Sequence, residues 1–199
     1  GISFHVGSGA SNPEIFKQAI RKARKLYEIA KDYELSLTCI DIGGGFSVEN
    51  IDTMAPIISN AIERYFPPEC GCTFIAEPGR YFAETVATLY TKIIGVRERR
   101  NRIDYYITDS LYGSFNCILY DHYVADPYPM IQVDDKTEYV PCTIYGPTCD
   151  GADKIADTLL LPKLKEGDWL RWSNMGAYTI AGACDFNGIP FTRARVIYL

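Results

Sequence analysis

Apolar residues recur at helical spacing through the first third of the chain. Ile15, Phe16, Ala19, Ile20, Ala23, Leu26, Tyr27 and Ala30 fall on one face, with Lys and Arg between them, which predicts an amphipathic helix. Ser11-Asn12-Pro13-Glu14 opens it: Ser11 or Asn12 suits the cap, Pro13 suits the first turn, and Ser11 with Glu14 has capping-box spacing. Ser3 to Val6 reads as a short strand before this helix. Leu37 to Ile42 reads as a buried parallel strand running into Gly43-Gly44-Gly45. A second helix is expected over about 53–66, and a third strand over Thr73 to Ala76, closing at Glu77-Pro78-Gly79-Arg80. This βαβαβ rhythm fits part of a (β/α) barrel or a doubly wound sheet. Glycines and polar residues gather at the C-terminal ends of the strands, the catalytic end in both architectures.

Near residue 83 the period changes. Val86 to Val96 is a long β-prone run, and strand-like runs follow at 103–108, 138–145, 167–173 and 191–198, with few helical signals between. The second part therefore reads as a mostly antiparallel β domain. The expected organisation is α/β over 1–82 and β over 83–199, with no internal repeat. The chain begins as though in the middle of a strand, so a fragment of a longer protein is expected.

Composition narrows the function classes. Of 199 residues, 47% are hydrophobic and 23% charged, so a buried core is expected rather than disorder. A net charge of −5 argues against nucleic acid or an anionic membrane as partner. No apolar run approaches the roughly 20 residues of a membrane span. Seven cysteines at irregular spacing and two distant histidines make no zinc pattern. Free thiols in a reducing, cytoplasmic setting are the plainer expectation.

Several segments can carry chemistry. Gly43-Gly44-Gly45 after an apolar strand suits a phosphate, because glycine lets backbone amides approach an anion closely; it equally suits a tight turn. His5-Val6-Gly7-Ser8-Gly9 also follows a strand and offers a flat ring and a hydroxyl, although a strand-end histidine also serves as a packed core residue. Glu77 can pair with a protonated ring nitrogen and Arg80 can clamp a phosphate, or the two can brace their own turn. Together, three strand ends offer groups that suit one phosphorylated, flat, nitrogen-containing ligand. In the second part, Asp121 and Asp150 can hold a cationic substrate, and Cys149 can donate a proton near neutral pH. A surface turn with a structural thiol is the plainer alternative there. Tyr178 would place a phenol near an anion or belong to the core.

The ordered set His5-Val6-Gly7-Ser8-Gly9, Asp41-Ile42-Gly43-Gly44-Gly45-Phe46, Glu77-Pro78-Gly79-Arg80-Tyr81, Tyr112-Gly113-Ser114-Phe115-Asn116, Gly146-Pro147-Thr148-Cys149-Asp150-Gly151 and Gly176-Ala177-Tyr178-Thr179 resembles eukaryotic ornithine decarboxylases, in the alanine-racemase-like group of pyridoxal-phosphate (PLP) enzymes. The first three motifs are shared across that group. Tyr120-Asp121-His122 and the Cys149 turn point to ornithine.

The resemblance implies a fold: the C-terminal part of a PLP-binding (β/α)8 TIM barrel, then a mostly antiparallel β-barrel or Greek-key domain. It implies pyridoxal 5'-phosphate as cofactor, with His5 stacked on its ring and Ser8, Gly43, Gly44, Gly45, Arg80 and Tyr178 on its phosphate. Glu77 would keep the ring nitrogen protonated, so that the ring works as an electron sink. His5, Glu77 and Cys149 form the implied catalytic set; Tyr120, Asp121 and Asp150 form the implied substrate set. The implied reaction is decarboxylation of ornithine to putrescine, in a homodimer whose active sites lie at the interface and take Asp121, Cys149 and Asp150 from the partner subunit. Antizyme is a further implied partner. The family's imine-forming lysine lies in a Pro-Tyr-Ala-Val-Lys segment before this chain begins, and none of Lys17, Lys22, Lys25 or Lys31 is assigned to that role. Two rivals stand beside this reading. One is a catalytically silent antizyme-inhibitor-like homologue, against which Gly9, Arg80, Asp121 and Tyr178 speak. The other is a sister decarboxylase of lysine, arginine or diaminopimelate, against which the reach of Asp121 speaks.

Overall fold

A computed structural model describes residues 1–121, 123–191 and 193–198. They form two compact units, Gly1–Glu84 and Thr85–Leu199.

The first unit alternates strand and helix: β1 (Ile2–Ser3), α1 (Glu14–Asp32), β2 (Cys39–Asp41), α2 (Ile51–Tyr65), β3 (Thr73–Ile75) and α3 (Gly79–Ala83). The three strands are parallel in the order β1-β2-β3. Ile2, Ile40 and Phe74 stand in one row across the sheet. They share a core with Phe16, Ile20 and Ala23 of α1 and with Met54, Ile58 and Ala61 of α2. These helical positions are three or four apart, so each helix lays one stripe on the same core. Asp41 and Ile75 form the adjacent row, on the opposite face. α1 begins later than its polar opening implies. Asn12, rather than Ser11, does the capping, its side-chain oxygen accepting the Glu14 N–H at 3.0 Å. β1 includes only Ser3 of the expected strand residues, although the Phe4 N–H still donates to the Asp41 carbonyl at 3.0 Å. These three strands form an open parallel sheet; closure into an eight-stranded barrel is not built from the described residues.

The second unit holds β4 (Leu89–Glu98), β5 (Ile103–Ile107), α4 (Cys117–Asp121), β6 (Pro127–Pro129), β7 (Tyr139–Tyr145), β8 (Lys154–Pro162) and β9 (Trp169–Trp172). Among the described residues these form one sheet in the order β6-β9-β4-β5-β7-β8, in which only β5 and β7 are parallel. β4 links its two halves: Leu89–Lys92 pair with β9, and Ile93–Glu98 pair with β5 across a shift of register at Ile93/Gly95. Such a bulge bends a strand and lets it serve two directions of sheet. The core centres on Trp172, Tyr105, Phe115, Ile93, Ile107, Ile144 and Leu170.

Two expectations fail in this unit. Residues 191–198 hold no strand where described, and Val196, Ile197 and Tyr198 are exposed. Apolar character alone predicted that strand, and among the described residues no neighbour supplies its ladder. Conversely β8, unread in the sequence, pairs with β7 over most of its length; its charged and small residues hide the alternation. β6 escaped notice because Pro127 and Pro129 flank Tyr128, a composition tolerated only at the sheet edge it occupies.

Candidate active site

In the first unit, three strand ends meet. His5 follows β1, Gly43–Gly45 follow β2, and Glu77–Arg80 follow β3. The Ile42 N–H donates to the Ile75 carbonyl at 2.9 Å and the Glu77 N–H to the Gly43 carbonyl at 2.8 Å, which carries the ladder beyond the strands. The Gly44 N–H donates to His5 Nδ1 at 3.0 Å. That bond places the imidazole proton on Nε2 and fixes the plane of an otherwise exposed ring.

The glycines are required by geometry. A Cβ on Gly44 would lie 2.7 Å from the Glu77 carbonyl oxygen, and one on Gly45 would lie 2.6 Å from that of Gly7. Gly43 and Gly45 also have left-handed backbones, with φ of 67° and 102°. The loop is therefore a cradle formed by close backbone approach. Its donors are unequal, however. The Gly43 N–H is already given to the Asp41 carboxylate at 2.8 Å, and that of Gly44 to His5. Among the described residues the Gly45 N–H has no such partner. Beside it, Arg80 Nε and Nη2 each stand 3.4 Å from Ser8 Oγ, while Nη1 is held by Glu84 at 2.9 Å. The far side of the guanidinium is thus braced, and its near side points at the Ser8 hydroxyl. Glu77 is exposed at the same end.

These groups fit a pyridoxal phosphate. They supply a fixed flat ring, a carboxylate, and a guanidinium, hydroxyl and free amide for an anion. The backbone beside the cradle is open as well: no atom lies within 4 Å of where a side chain would start at Gly7 or Gly9.

The second unit gathers a separate set. The Tyr112 hydroxyl donates a short hydrogen bond to the Asp150 carboxylate. This bond, then the Ala152 N–H, lowers the Asp150 pKa against burial. The same bond first, and burial second, pushes Tyr112 up to about 12. The exposed Cys149 accepts from Asn187 Nδ2 at 3.4 Å, and Phe186 stacks on Tyr112 at 4.2 Å.

Asp153 ties this turn down. It is fully buried and accepts the Leu111 N–H at 2.9 Å, the Thr148 hydroxyl at 2.7 Å and the Thr148 N–H at 3.2 Å. Asp109 anchors the loop before α4 by accepting the Ser110 and Ser114 N–H groups at 2.8 and 2.9 Å. Burial pushes its carboxyl up from the usual range, with the Ser114 and Ser110 bonds pulling back.

Asn116 joins a third segment. It receives the Gly182 N–H on its side chain at 2.8 Å and gives its own N–H to the Thr179 carbonyl at 3.1 Å. It thereby holds the loop carrying Tyr178, an exposed phenol on a left-handed backbone of φ 60°. Such a backbone is costly for a side chain of this size and persists only where its surroundings enforce it. Asp121 ends α4 half-buried, beside the exposed Tyr120. His122 lies outside the described residues.

The sequence singled out Cys149 and Asp150 but missed residues that brace their turn, Asp153, Phe186 and Asn187, and gave Asn116 no role in holding the Tyr178 loop. Asp153 read as one more acid in a polar turn. Its one sequence signal is Gly146, where a Cβ would strike the Asp153 carboxylate.

Comparisons with known proteins agree on one family. Residues 22–176 match the family described as pyridoxal-dependent decarboxylase, C-terminal sheet domain. The chain is 40% identical over its whole length to an ornithine decarboxylase of Cricetulus griseus, covering 47% of that protein. It is 42% identical over 94% of its length to a chloroplastic ornithine decarboxylase of Nicotiana glutinosa, covering 46% of it. The chain thus spans about half the length of the curated relatives it matches. Among solved structures it superposes on the arginine decarboxylase of Paramecium bursaria Chlorella virus with a TM-score of 0.89 at 39% identity, over 96% of this chain and 52% of that one. With the lysine/ornithine decarboxylase of Vibrio vulnificus complexed with cadaverine the TM-score is 0.86 at 37% identity, over 97% and 53%.

Proposed function

From the premise that this chain belongs to the pyridoxal-dependent decarboxylases, we propose that the protein it comes from decarboxylates L-ornithine to putrescine and CO₂. The observation that carries the reading is the meeting of His5, the glycine cradle, Glu77 and Arg80 at three consecutive strand ends, locked by the bond from Gly44 to His5. In this reading the parallel sheet is part of a larger (β/α)8 barrel, and the sheet of the second unit is part of a barrel-like domain. Ser8, Arg80, the Gly45 amide and Tyr178 hold the cofactor phosphate; His5 lies on the ring; Glu77 pairs with the ring nitrogen. When bound, the cofactor supplies an electron-accepting ring that stabilises negative charge at the substrate α-carbon.

The chain's own residues do the rest. Asp121 and Asp150 receive the distal ammonium of the substrate, with Tyr120 beside it, and Cys149 returns a proton to the α-carbon. The Tyr112 hydroxyl keeps Asp150 ionised and aimed. As in the family, the working unit is a homodimer whose sites combine residues of both subunits, so that Asp121, Cys149 and Asp150 serve the site of the other subunit. Antizyme binding and a cytoplasmic location complete the reading.

A sister decarboxylase is the second reading, favoured by the solved structures it resembles, which act on arginine or on lysine and ornithine. An added methylene changes binding in an apolar pocket by only about 1–3 kcal/mol, so side activity on lysine is expected.

The test is made on the complete protein: absorbance at the internal-imine band with added pyridoxal phosphate, then CO₂ release from ornithine, lysine and arginine side by side. An imine band with ornithine preferred supports the proposal. A band with arginine or lysine preferred moves it to the sister enzyme. Neither band nor CO₂ points to a silent homologue.

A further inference from the structure

Away from the groups described above, the start of β3 gathers thiols around one guanidinium. Cys70 and Cys72 flank Gly71, whose left-handed backbone (φ 64°) folds the Cys-Gly-Cys segment back on itself. Cys39 faces Thr73 across the β2–β3 ladder. Arg24 of α1 points Nη1 at Cys70 Sγ from 2.7 Å. Its guanidinium is held from other sides by the Glu28 carboxylate and by the rings of Tyr27 and Phe66, at 5.2 and 5.6 Å from their centroids.

The two thiols are not equivalent. The Cys70 sulfur accepts from a cationic donor, and a cation beside a sulfur favours its nucleophilic form. The Cys72 sulfur donates instead, to the carbonyls of Leu37 and Cys70 at 3.7 and 3.8 Å. Burial first, and the neighbouring Cys70 second, push the Cys72 thiol above its ordinary pKa, with Arg24 opposing. Both cysteines are half-buried, which leaves them within reach of a small oxidant. By contrast Cys142 sits in the core, and burial pushes its thiol up to about 11.

We propose that Cys70 and Cys72 form a peroxide-sensitive dithiol, with Cys70 as the attacking sulfur, Arg24 as its activator and Cys72 as the resolving thiol. The Cys70 thiolate attacks one oxygen of hydrogen peroxide. The O–O bond breaks, Cys70 becomes a sulfenic acid, and the departing hydroxide takes a proton and leaves as water. Cys72 then gives up its proton and attacks the Cys70 sulfur. The S–S bond forms, the S–O bond breaks, and a second water leaves. Two electrons pass from the two thiols to one peroxide. A disulfide closed across a single intervening residue is strained and easily reduced, the behaviour of a switch rather than a staple. Its formation removes the bonds from Arg24 to Cys70 and from Cys72 to Leu37, which tie the entry of β3 to α1 and to the segment before β2.

The test uses the complete protein, treated with hydrogen peroxide, alkylated at its remaining thiols, digested and weighed. The expected result is a peptide holding Cys70 and Cys72 that has lost two hydrogens, resists alkylation and recovers both thiols with dithiothreitol. Cys72→Ser leaves Cys70 as a sulfenic acid that dimedone captures, and Arg24→Met slows disulfide formation roughly five- to tenfold. The proposal is overturned if Cys70 and Cys72 stay fully alkylatable while the exposed Cys149 and Cys184 oxidise, or if Cys72 joins Cys39 instead. An unchanged rate in Arg24→Met removes Arg24 as activator. The peptide map of the unsubstituted protein decides the central claim even if a variant fails to fold.

Discussion

At the scale of single residues, the turn that carries Asp150 sets its chemistry by pairing groups rather than by burying them. Asp150 is held below the usual carboxylate range chiefly by the Tyr112 hydroxyl. A lowered carboxylate contributes stability above its unfolded value, and that contribution disappears as pH falls through the lowered one. Tyr112, raised to about 12, contributes below its ordinary value, and its contribution disappears as pH rises through about 12. The pair is therefore constant across neutral pH. Tyr112→Phe should move the titration midpoint of Asp150 up toward the ordinary carboxylate value, as followed by carboxyl NMR; an unmoved midpoint would clear the hydroxyl of that role. Cys149→Ala should slow turnover or divert the returned proton, and a wild-type product profile would end the proton-donor assignment.

At the scale of elements, both cores depend on a few buried side chains. α1 commits Phe16, Ile20 and Ala23 to the first core, and Phe16 stacks on Phe46 at 5.1 Å. Phe16→Ala should cost about 3–5 kcal/mol, read from the denaturant midpoint of the first unit's signals. In the second unit, Trp172 on β9 is fully buried and gives its indole N–H to Thr91 of β4 at 2.9 Å. Thr91→Val keeps the shape and removes the acceptor. An orphaned buried donor costs about 1–3 kcal/mol; a change near zero would mean that the indole finds another partner. The elements also bear on legibility. α1 and β2 could be read from the sequence because a 3.6-residue period and a run of apolar residues are local properties. β8 could not, because Lys154, Ala156 and Thr158 look like loop residues until β7 supplies the opposite edge of the ladder.

At the scale of the whole molecule, the proposed site divides its labour between copies. Under the proposal Arg80 and its neighbours would hold the cofactor, while Asp121, Cys149 and Asp150 would reach the site of the other subunit. Two inactive proteins, Arg80→Ala and Asp150→Ala, should therefore regain activity on mixing, because re-paired dimers contain one site with neither defect. No regain under conditions that exchange subunits would confine the site to one copy. Asp121→Ala should weaken ornithine use far more than cofactor affinity; an equal loss of both would remove it from the substrate set.

The sequence by itself determined the change from helical to strand period near residue 83, the glycine turn after β2, and which polar side chains stand at strand ends. Each of these depends on neighbours in the chain, where periodicity and backbone freedom are already decided. Tertiary structure alone decided that Gly43 and Gly44 spend their amides on Asp41 and His5. It also decided that Asp153 holds the Cys149 turn, that Asn116 holds the Tyr178 loop, and that Arg24 meets Cys70 from 46 residues away. These are pairings between distant segments, and a hydrogen bond depends on distance and direction in space, neither of which the order of residues contains.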